Sequence, residues 1–171
     1  ANLYNCIISN NECGNDGGGL RVADGTIQNC LITGNTSVRY GGGISAEYGP
    51  LDILNCTFSG NVCGTSGGAV DMHLGTMVIV DSILYGDSAG EIRNSNSTIS
   101  VSYSNVQGGY SGTGNINADP MFVTGPDGNY YLDISGGTSP CIDAGSDLAD
   151  DLCFSVANQY NCMSFLTTRT D

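Results

Sequence analysis

Apolar residues in the first hundred positions fall in short runs, and within each run they alternate with polar residues. Examples are Thr26-Ile27-Gln28, Asp52-Ile53-Leu54 and Met77-Val78-Ile79-Val80. A period of two indicates half-buried β-strands, and the Gly and Asn residues between the runs favour tight corners. The pattern therefore predicts many short strands, about three in each repeat of the chain.

Two blocks of sequence return together along the chain. The first, Asn-Cys-x-apolar-Ser/Thr-Gly/Asn-Asn, begins at Asn5, Asn29 and Asn55, with a degenerate copy at Asp81. The second, three small residues followed by an apolar one, begins at Gly17, Gly41 and Gly67, and weakly at Ala89. A repeat of about two dozen residues cannot bury its own apolar face, so successive copies must stack. Strands one repeat apart then pair in parallel, which predicts a parallel β-helix of about four coils.

Stacking places equivalent residues of the repeat in columns. Two interior columns are expected, with the members Cys6, Cys30, Cys56 and Ser82, and Ile8, Ile32, Phe58 and Leu84. A third column, Asn11, Asn35, Asn61 and Asp87, ends each first block. Asn side chains can donate and accept amide hydrogen bonds along a stack and tolerate left-handed backbone. We therefore expect the asparagines to form a structural ladder at a corner.

The blocks resemble the right-handed parallel β-helix superfamily, often called pectin-lyase-like, and in detail the repeats of polymorphic outer-membrane proteins. Phe58-Ser59-Gly60-Asn61 with Gly67-Gly68-Ala69-Val70 is the closest match. The resemblance covers residues 1–105 and implies an all-β, right-handed solenoid. It implies no single activity, because the superfamily contains polysaccharide lyases, hydrolases, adhesins and structural proteins. Residues 106–171 look like the irregular C-terminal segment of secreted bacterial β-helix proteins, and we expect them to cap the open edge of the stack.

Charge and composition exclude several partners. The chain has 17 acidic residues, 4 arginines, no lysine and a net charge of -13. This charge opposes binding to nucleic acid or to an anionic membrane, and no apolar run reaches the roughly 18 residues of a membrane span. With one histidine and no CxxC pair among 8 cysteines, no zinc site is expected. We expect no resident cofactor, although Ca²⁺ binding by scattered acidic loops remains open.

One group of residues is a candidate for acid–base chemistry. On the strands after the glycines, Arg21 and Asp71 fall in one outward column, and Glu47 and His73 fall in the next. Glu47 and His73 should lie one rung, about 4.8 Å, apart. The alternative is a solvated polar face, favoured by the absence of lysine and of an arginine cluster that would neutralise a uronate.

Five of the 8 cysteines have predicted roles, in two sets. Cys6, Cys30 and Cys56 are expected to be buried apolar rungs, since stacked parallel positions suit disulfide geometry poorly. Cys153 and Cys162 bracket a polar loop and are the candidate disulfide, which is consistent with an exported protein.

These observations favour an extracellular or surface-displayed structural or adhesive module. We expect an open first coil to associate with neighbouring β-helix coils or with another copy, head to tail, which would build filaments. Contact with glycans is a further expectation. The alternative is a fragment of a polysaccharide lyase or glycoside hydrolase that uses Arg21, Glu47, Asp71 and His73.

Overall fold

The computed structural model describes residues 1–133, 139–142 and 144–146. These residues contain nineteen strands and no helix, and so no helix that is long and apolar enough to cross a membrane. Seventeen of the strands wind into successive coils, in which each strand pairs in parallel with its counterpart in an adjacent coil. The predicted fold class, an all-β solenoid of about four turns, is confirmed.

The strands of the coils are short. Coil 1 contains β1 (Asn2–Tyr4), β2 (Ile7–Ser9), β3 (Glu12–Cys13) and β4 (Leu20–Val22). Coil 2 contains β5 (Gly25–Gln28), β6 (Leu31–Thr33), β7 (Thr36–Ser37) and β8 (Ile44–Glu47). Coil 3 contains β9 (Pro50–Leu54), β10 (Thr57–Ser59), β11 (Val62–Cys63) and β12 (Val70–His73). Coil 4 contains β13 (Thr76–Val80), β14 (Ile83–Leu84) and β15 (Ile92–Ser95), and a partial fifth coil contains β16 (Thr98–Ser102) and β17 (Asn105–Val106).

Equivalent strands form four parallel sheets. Sheet A has the order β1-β5-β9-β13-β16, sheet B β2-β6-β10-β14-β17, sheet C β3-β7-β11 and sheet D β4-β8-β12-β15. Coils 1 to 3 each contain four strands, one more than the hydrophobic pattern predicts. The additional strand is the two-residue strand of sheet C, which is too short to give a periodic signal.

The interior is a stack of apolar side chains in the predicted register. Ile8 pairs with Ile32, Ile32 with Phe58, and Phe58 with Leu84. The last three of these side chains are completely buried. Cys30 lies between the other two cysteines of its column, because Leu31 N donates to Cys6 O at 2.9 Å and Thr57 N donates to Cys30 O at 3.0 Å.

The left-handed corner residues differ from those expected. Positive φ falls on the first residue of the first block: Asn5, Asn29, Asn55 and Asp81, at 51–55°. The ladder residues Asn11, Asn35 and Asn61 do not have positive φ, and the residue directly before each of them does, at Asn10, Gly34 and Gly60. The turn therefore comes one residue before the ladder, which leaves the ladder side chain pointing into the coil.

Residues after β17 cover part of the final coil edge. Tyr110 packs against the end of the core. Tyr103 N donates to Thr113 O at 2.8 Å and Val106 N donates to Ile116 O at 3.0 Å, so residues 113–116 add a partial rung.

The next part of the chain turns back along the side of the solenoid. The antiparallel hairpin of β18 (Phe122–Gly125) and β19 (Gly128–Leu132) lies on the outer face of sheet B, where Tyr130 Oη is 2.5 Å from Thr33 Oγ1. Ile83 and Cys141 form a second, small core beneath this segment. The division into 1–105 and 106–171 stays a prediction, and Cys153 and Cys162 lie outside the described residues.

Candidate functional site

The outer face of sheet D carries the predicted acid–base residues. Strand register aligns Arg21, Ser45, Asp71 and Arg93 in one column. It aligns Glu47, His73 and Ser95 in the next. Alternation along the strands sends both columns outward, because the residues between them, such as Met72, fill the core.

Glu47 and His73 are neighbours. His73 Nδ1 lies 3.8 Å from one Glu47 carboxylate oxygen, and Arg21 Nη2 lies 3.0 Å from the other. The adjacent Glu47 carboxylate raises the pKa of Arg21 above its usual value. The Tyr48 ring centroid is 6.2 Å from that of His73, and Tyr48 is exposed. The group forms an open polar surface with one aromatic ring.

Asp71 lies apart from this surface. It is only 3% exposed, accepts from Arg93 Nη1 at 2.5 Å, and accepts from Ser45 Oγ at 3.1 Å. Arg93 is covered in turn by the Tyr40 ring, whose centroid is 3.8 Å from the guanidinium carbon. Asp71 is therefore a buried ion-pair partner and does not face solvent beside Glu47 and His73. The sequence pattern did not indicate this, because Tyr40 comes from the loop before β8.

The asparagine column is a continuous, polarised hydrogen-bond ladder. Asn11 Nδ2 donates to Asn35 Oδ1 at 2.9 Å, Asn35 Nδ2 to Asn61 Oδ1 at 2.9 Å, and Asn61 Nδ2 to Asp87 Oδ1 at 2.7 Å. Each backbone N–H of the three asparagines donates to the same oxygen as its side chain. Asn35 and Asn61 also donate to the carbonyl groups of Ile8 and Ile32 in the preceding coil, both at 2.9 Å.

The ladder ends on an acceptor that cannot donate when ionised. Asp87 and Glu91 are 9% and 4% exposed, and Asp87 N donates to Glu91 Oε1 at 3.3 Å. Burial raises the pKa of Asp87 to about 6, and burial together with the neighbouring Asp87 raises the pKa of Glu91 to about 9. The sequence predicts Asp87 as a ladder member but gives no role to Glu91, whose one signal is its place in the weak fourth copy of the second block.

The cysteine column consists of thiols that contact backbone carbonyls. Cys30 Sγ donates to Gln28 O at 3.2 Å and Cys56 Sγ to Leu54 O at 3.3 Å, and burial raises the pKa of Cys56 well above its usual value. Ser82 continues the column, with its hydroxyl donating to Val80 O at 2.9 Å. The six cysteines among the described residues are all free.

No group of three or more His, Cys, Asp or Glu side chains within the described ranges is arranged to hold a metal ion. The expectation of Ca²⁺ binding at acidic loops therefore stays a prediction.

The comparisons with known proteins identify the class of repeat. Residues 29–47 and 55–71 match the model of the Chlamydia polymorphic membrane protein repeat. The first match runs from the corner before β6 to the end of β8, and the second from the corner before β10 into β12. Comparison with curated proteins and with solved structures gives no match. The matches and the stacked coils together define a β-helix-like repeat protein.

Proposed function

We propose that the chain is a structural module of an extracellular or cell-surface protein, built to present a rigid and acidic solenoid face. The observation that carries this proposal is the place of the matched repeat, which covers most of coils 2 and 3. Polymorphic membrane protein repeats are associated with the surface or outer membrane. The same proposal includes right-handed winding, because parallel crossovers are nearly always right-handed. It also includes membership of the pectin-lyase-like superfamily, which the repeated blocks resemble.

The edge of coil 1 is the surface that suits a neighbouring coil. The inward side chains Leu3, Cys6, Ile8 and Leu20 are only partly buried, whereas all four of their partners in coil 2 are fully buried. The ladder polarity also leaves Asn11 Oδ1 as the acceptor for a further rung, because each asparagine donates toward the later coil. We therefore take another β-helix coil as the partner.

A head-to-tail filament requires the opposite end to be open as well. Residues 113–116 already bond to β17 and to its preceding corner, and Tyr110 closes the core there. Filament growth would have to displace these contacts. Two copies joined through their coil 1 edges would set two Asn11 Oδ1 acceptors against each other, so the favoured partner of this edge is a further β-helix coil that supplies an amide donor to Asn11 Oδ1.

Surface display is tested by brief protease treatment of intact cells that produce the protein, followed by mass spectrometry of the released peptides. Peptides from the exposed corners, such as the one around Tyr48, are expected before lysis. Release only after lysis would refute the proposed location. A cytosolic protein measured in the same sample controls for leakage.

Edge pairing is tested by sedimentation velocity on the purified chain over a range of concentrations. Ile8→Lys places a charge at the interior edge of coil 1, and Ile7→Lys, on the same strand, places it on the outer face, where Ile7 is 55% exposed. Association that is lost in Ile8→Lys and retained in Ile7→Lys supports the edge interface. A wild-type chain that stays monomeric, or equal effects of the two variants, would refute self-association.

Cleavage of a polysaccharide is the second candidate, and it is favoured only by the contact between Glu47 and His73. Glu47→Gln and His73→Ala should abolish any cleavage of uronan or neutral glycan that the chain performs. Loss of a measured activity in both variants would refute a purely structural role. An activity that survives both changes would exclude this surface as its site.

A further inference from the structure

Two carboxyl groups are buried together in a shortened segment of coil 4. Phe58 and Leu84 are paired across 26 positions, whereas Val70 and Ile92 are paired across 22, so the connection before β15 is four residues shorter than its equivalent in coil 3. Asp87 lies in this connection at the ladder position, and Glu91 ends it directly before β15. Both carboxyl groups are therefore buried at the corner between β14 and β15.

One oxygen of each carboxyl group has no hydrogen-bond donor. Asp87 Oδ1 accepts from Asn61 N at 2.6 Å and from Asn61 Nδ2 at 2.7 Å. Glu91 Oε1 accepts from the Asp87 backbone N–H. Asp87 Oδ2 and Glu91 Oε2 are buried without any hydrogen-bond partner, although the two residues are held together by the hydrogen bond from Asp87 N to Glu91 Oε1. A single proton shared between these two oxygens would satisfy both.

Among the residues that the structure describes, no cation is placed to replace that proton. Arg93, two residues beyond Glu91, is committed to Asp71 and the Tyr40 ring. From the coil below, the pair is faced by the neutral amide of Asn61. The thiol of Cys63, also in coil 3, contacts the carbonyl of Ser88. No ion pair within the described residues involves Asp87 or Glu91, and two adjacent buried carboxylates cannot both ionise without a large cost.

We infer that Asp87 and Glu91 share one proton, and that loss of this proton above neutral pH loosens coil 4 from coil 3. The contacts at risk are those that join the two coils at this corner. Asn61 N donates to Asp87 Oδ1, and the amides of Gly68 and Ala69 donate to the carbonyls of Gly90 and Glu91. Repulsion between the two carboxylates would separate these partners.

The direction of the pH effect follows from the raised pKa values. In the unfolded chain the two carboxyl groups have their usual pKa values, 3.8 for Asp87 and 4.5 for Glu91. In the folded chain the pKa rises to about 6 for Asp87 and about 9 for Glu91, so each group keeps its proton at pH values where the unfolded chain has lost it. The folded state therefore binds more protons, and the free energy of unfolding falls as pH rises through this window. One excess proton lowers the folding equilibrium constant by at most about tenfold per pH unit.

The test is denaturant unfolding at a series of pH values from about 5 to about 9, followed by far-ultraviolet circular dichroism. The wild-type folding constant should fall by up to about 100-fold between about pH 6 and about pH 8. Glu91→Gln supplies an amide donor to Asp87 without a titrating proton, and Asp87→Asn supplies one to Glu91, so both variants should lose most of this slope. Glu12→Gln and Asp52→Asn, on outward strand positions, are the matched controls and should retain it.

Proton release gives a readout that needs no variant. Unfolding of the wild-type chain at about pH 7.5 should release close to one proton from the pair, measured by calorimetry in buffers of different ionisation enthalpy. Hydrogen exchange locates the effect. After correction for the intrinsic base-catalysed exchange rate, the protection factors of the Asn61, Gly68 and Ala69 amides should fall as pH rises, and those of amides in coils 1 and 2 should not. The absence of proton release, or equal slopes in wild type and Glu91→Gln, would overturn the inference.

A divalent cation between the two carboxylates is the competing explanation, and the same experiment separates it. Addition of Ca²⁺ or Mg²⁺ at about pH 9 should shift the denaturant midpoint of the wild-type chain no more than it shifts that of Glu91→Gln. A rise confined to the wild-type chain would replace the shared proton with a bound cation and would overturn the inference.

Discussion

Replacement of Asn35 by Asp tests the polarity of the ladder with almost no change in shape. Asn35 is fully buried, and its Nδ2 group donates to Ile8 O and Asn61 Oδ1, both at 2.9 Å. Asp at this position would place a carboxylate oxygen, which cannot donate a hydrogen bond, against both of these acceptor oxygens. Asp87 is tolerated because, at the end of the ladder, its Oδ1 only accepts.

The cost follows from the two lost donations. A buried acceptor left without its donor costs about 1–3 kcal/mol, so Asn35→Asp should lower the free energy of unfolding by about 4 kcal/mol. At about 2–4 °C per kcal/mol, the midpoint of thermal unfolding should fall by roughly 8–16 °C. The loss should shrink in acid, because the introduced carboxyl group, once protonated, can donate one of the two hydrogen bonds again.

The assay is guanidinium unfolding followed by circular dichroism, with Asn11→Asp as the matched control. Asn11 occupies the same ladder position in coil 1, but it is exposed, and its amide donates to Ser9 O and Asn35 Oδ1 where water can substitute. The control should change the free energy of unfolding by less than about 1 kcal/mol. Equal losses in the two variants would refute the claim that the ladder is a directional, buried network.

Two further substitutions test close packing and the buried ion pair. Gly42→Ala places a Cβ 2.6 Å from Gly68 O and 2.7 Å from Val62 O, so it should cost about 3 kcal/mol in denaturant unfolding. Gly14→Ala, which meets nothing within 4 Å, should be nearly neutral, and similar costs for both would contradict this packing. Arg93→Ala leaves the buried Asp71 carboxylate unpaired and should cost about 3–5 kcal/mol. Arg21→Ala breaks only a half-exposed pair and should cost about 1 kcal/mol or less, so the reverse order would contradict the assigned burial.

The coil register could be predicted because the repeat fixes it. Once Cys6, Cys30 and Cys56 occupy one column, the pairing of Ile32 with Phe58 follows from their shared offset. The same argument predicted that Glu47 and His73 are neighbours. In a stacked repeat protein, residues one period apart in the sequence are in contact, so the period predicts the long-range contacts. Most folds have no such period.

Burial of individual polar groups could not be predicted in this way. Asp71 has an outward position, and it is covered only because Arg93 and Tyr40 meet above it. Glu91 is buried because coil 4 is shortened, in a degenerate copy where the second block is weak. Both features depend on loops between the repeated blocks. The loops do not follow the repeat, so the sequence period does not predict their conformation.

Hydrogen bonds between coils are the most direct test of the central claim that successive repeats lie directly over one another. Through-hydrogen-bond scalar couplings, measured by NMR on the isotopically labelled chain, report which carbonyl each amide contacts. The Leu31 amide should couple to the carbonyl carbon of Cys6, that of Thr57 to Cys30, and that of Ile83 to Cys56. Couplings from these amides to any other carbonyls, or their rapid exchange with solvent, would contradict the stacked solenoid.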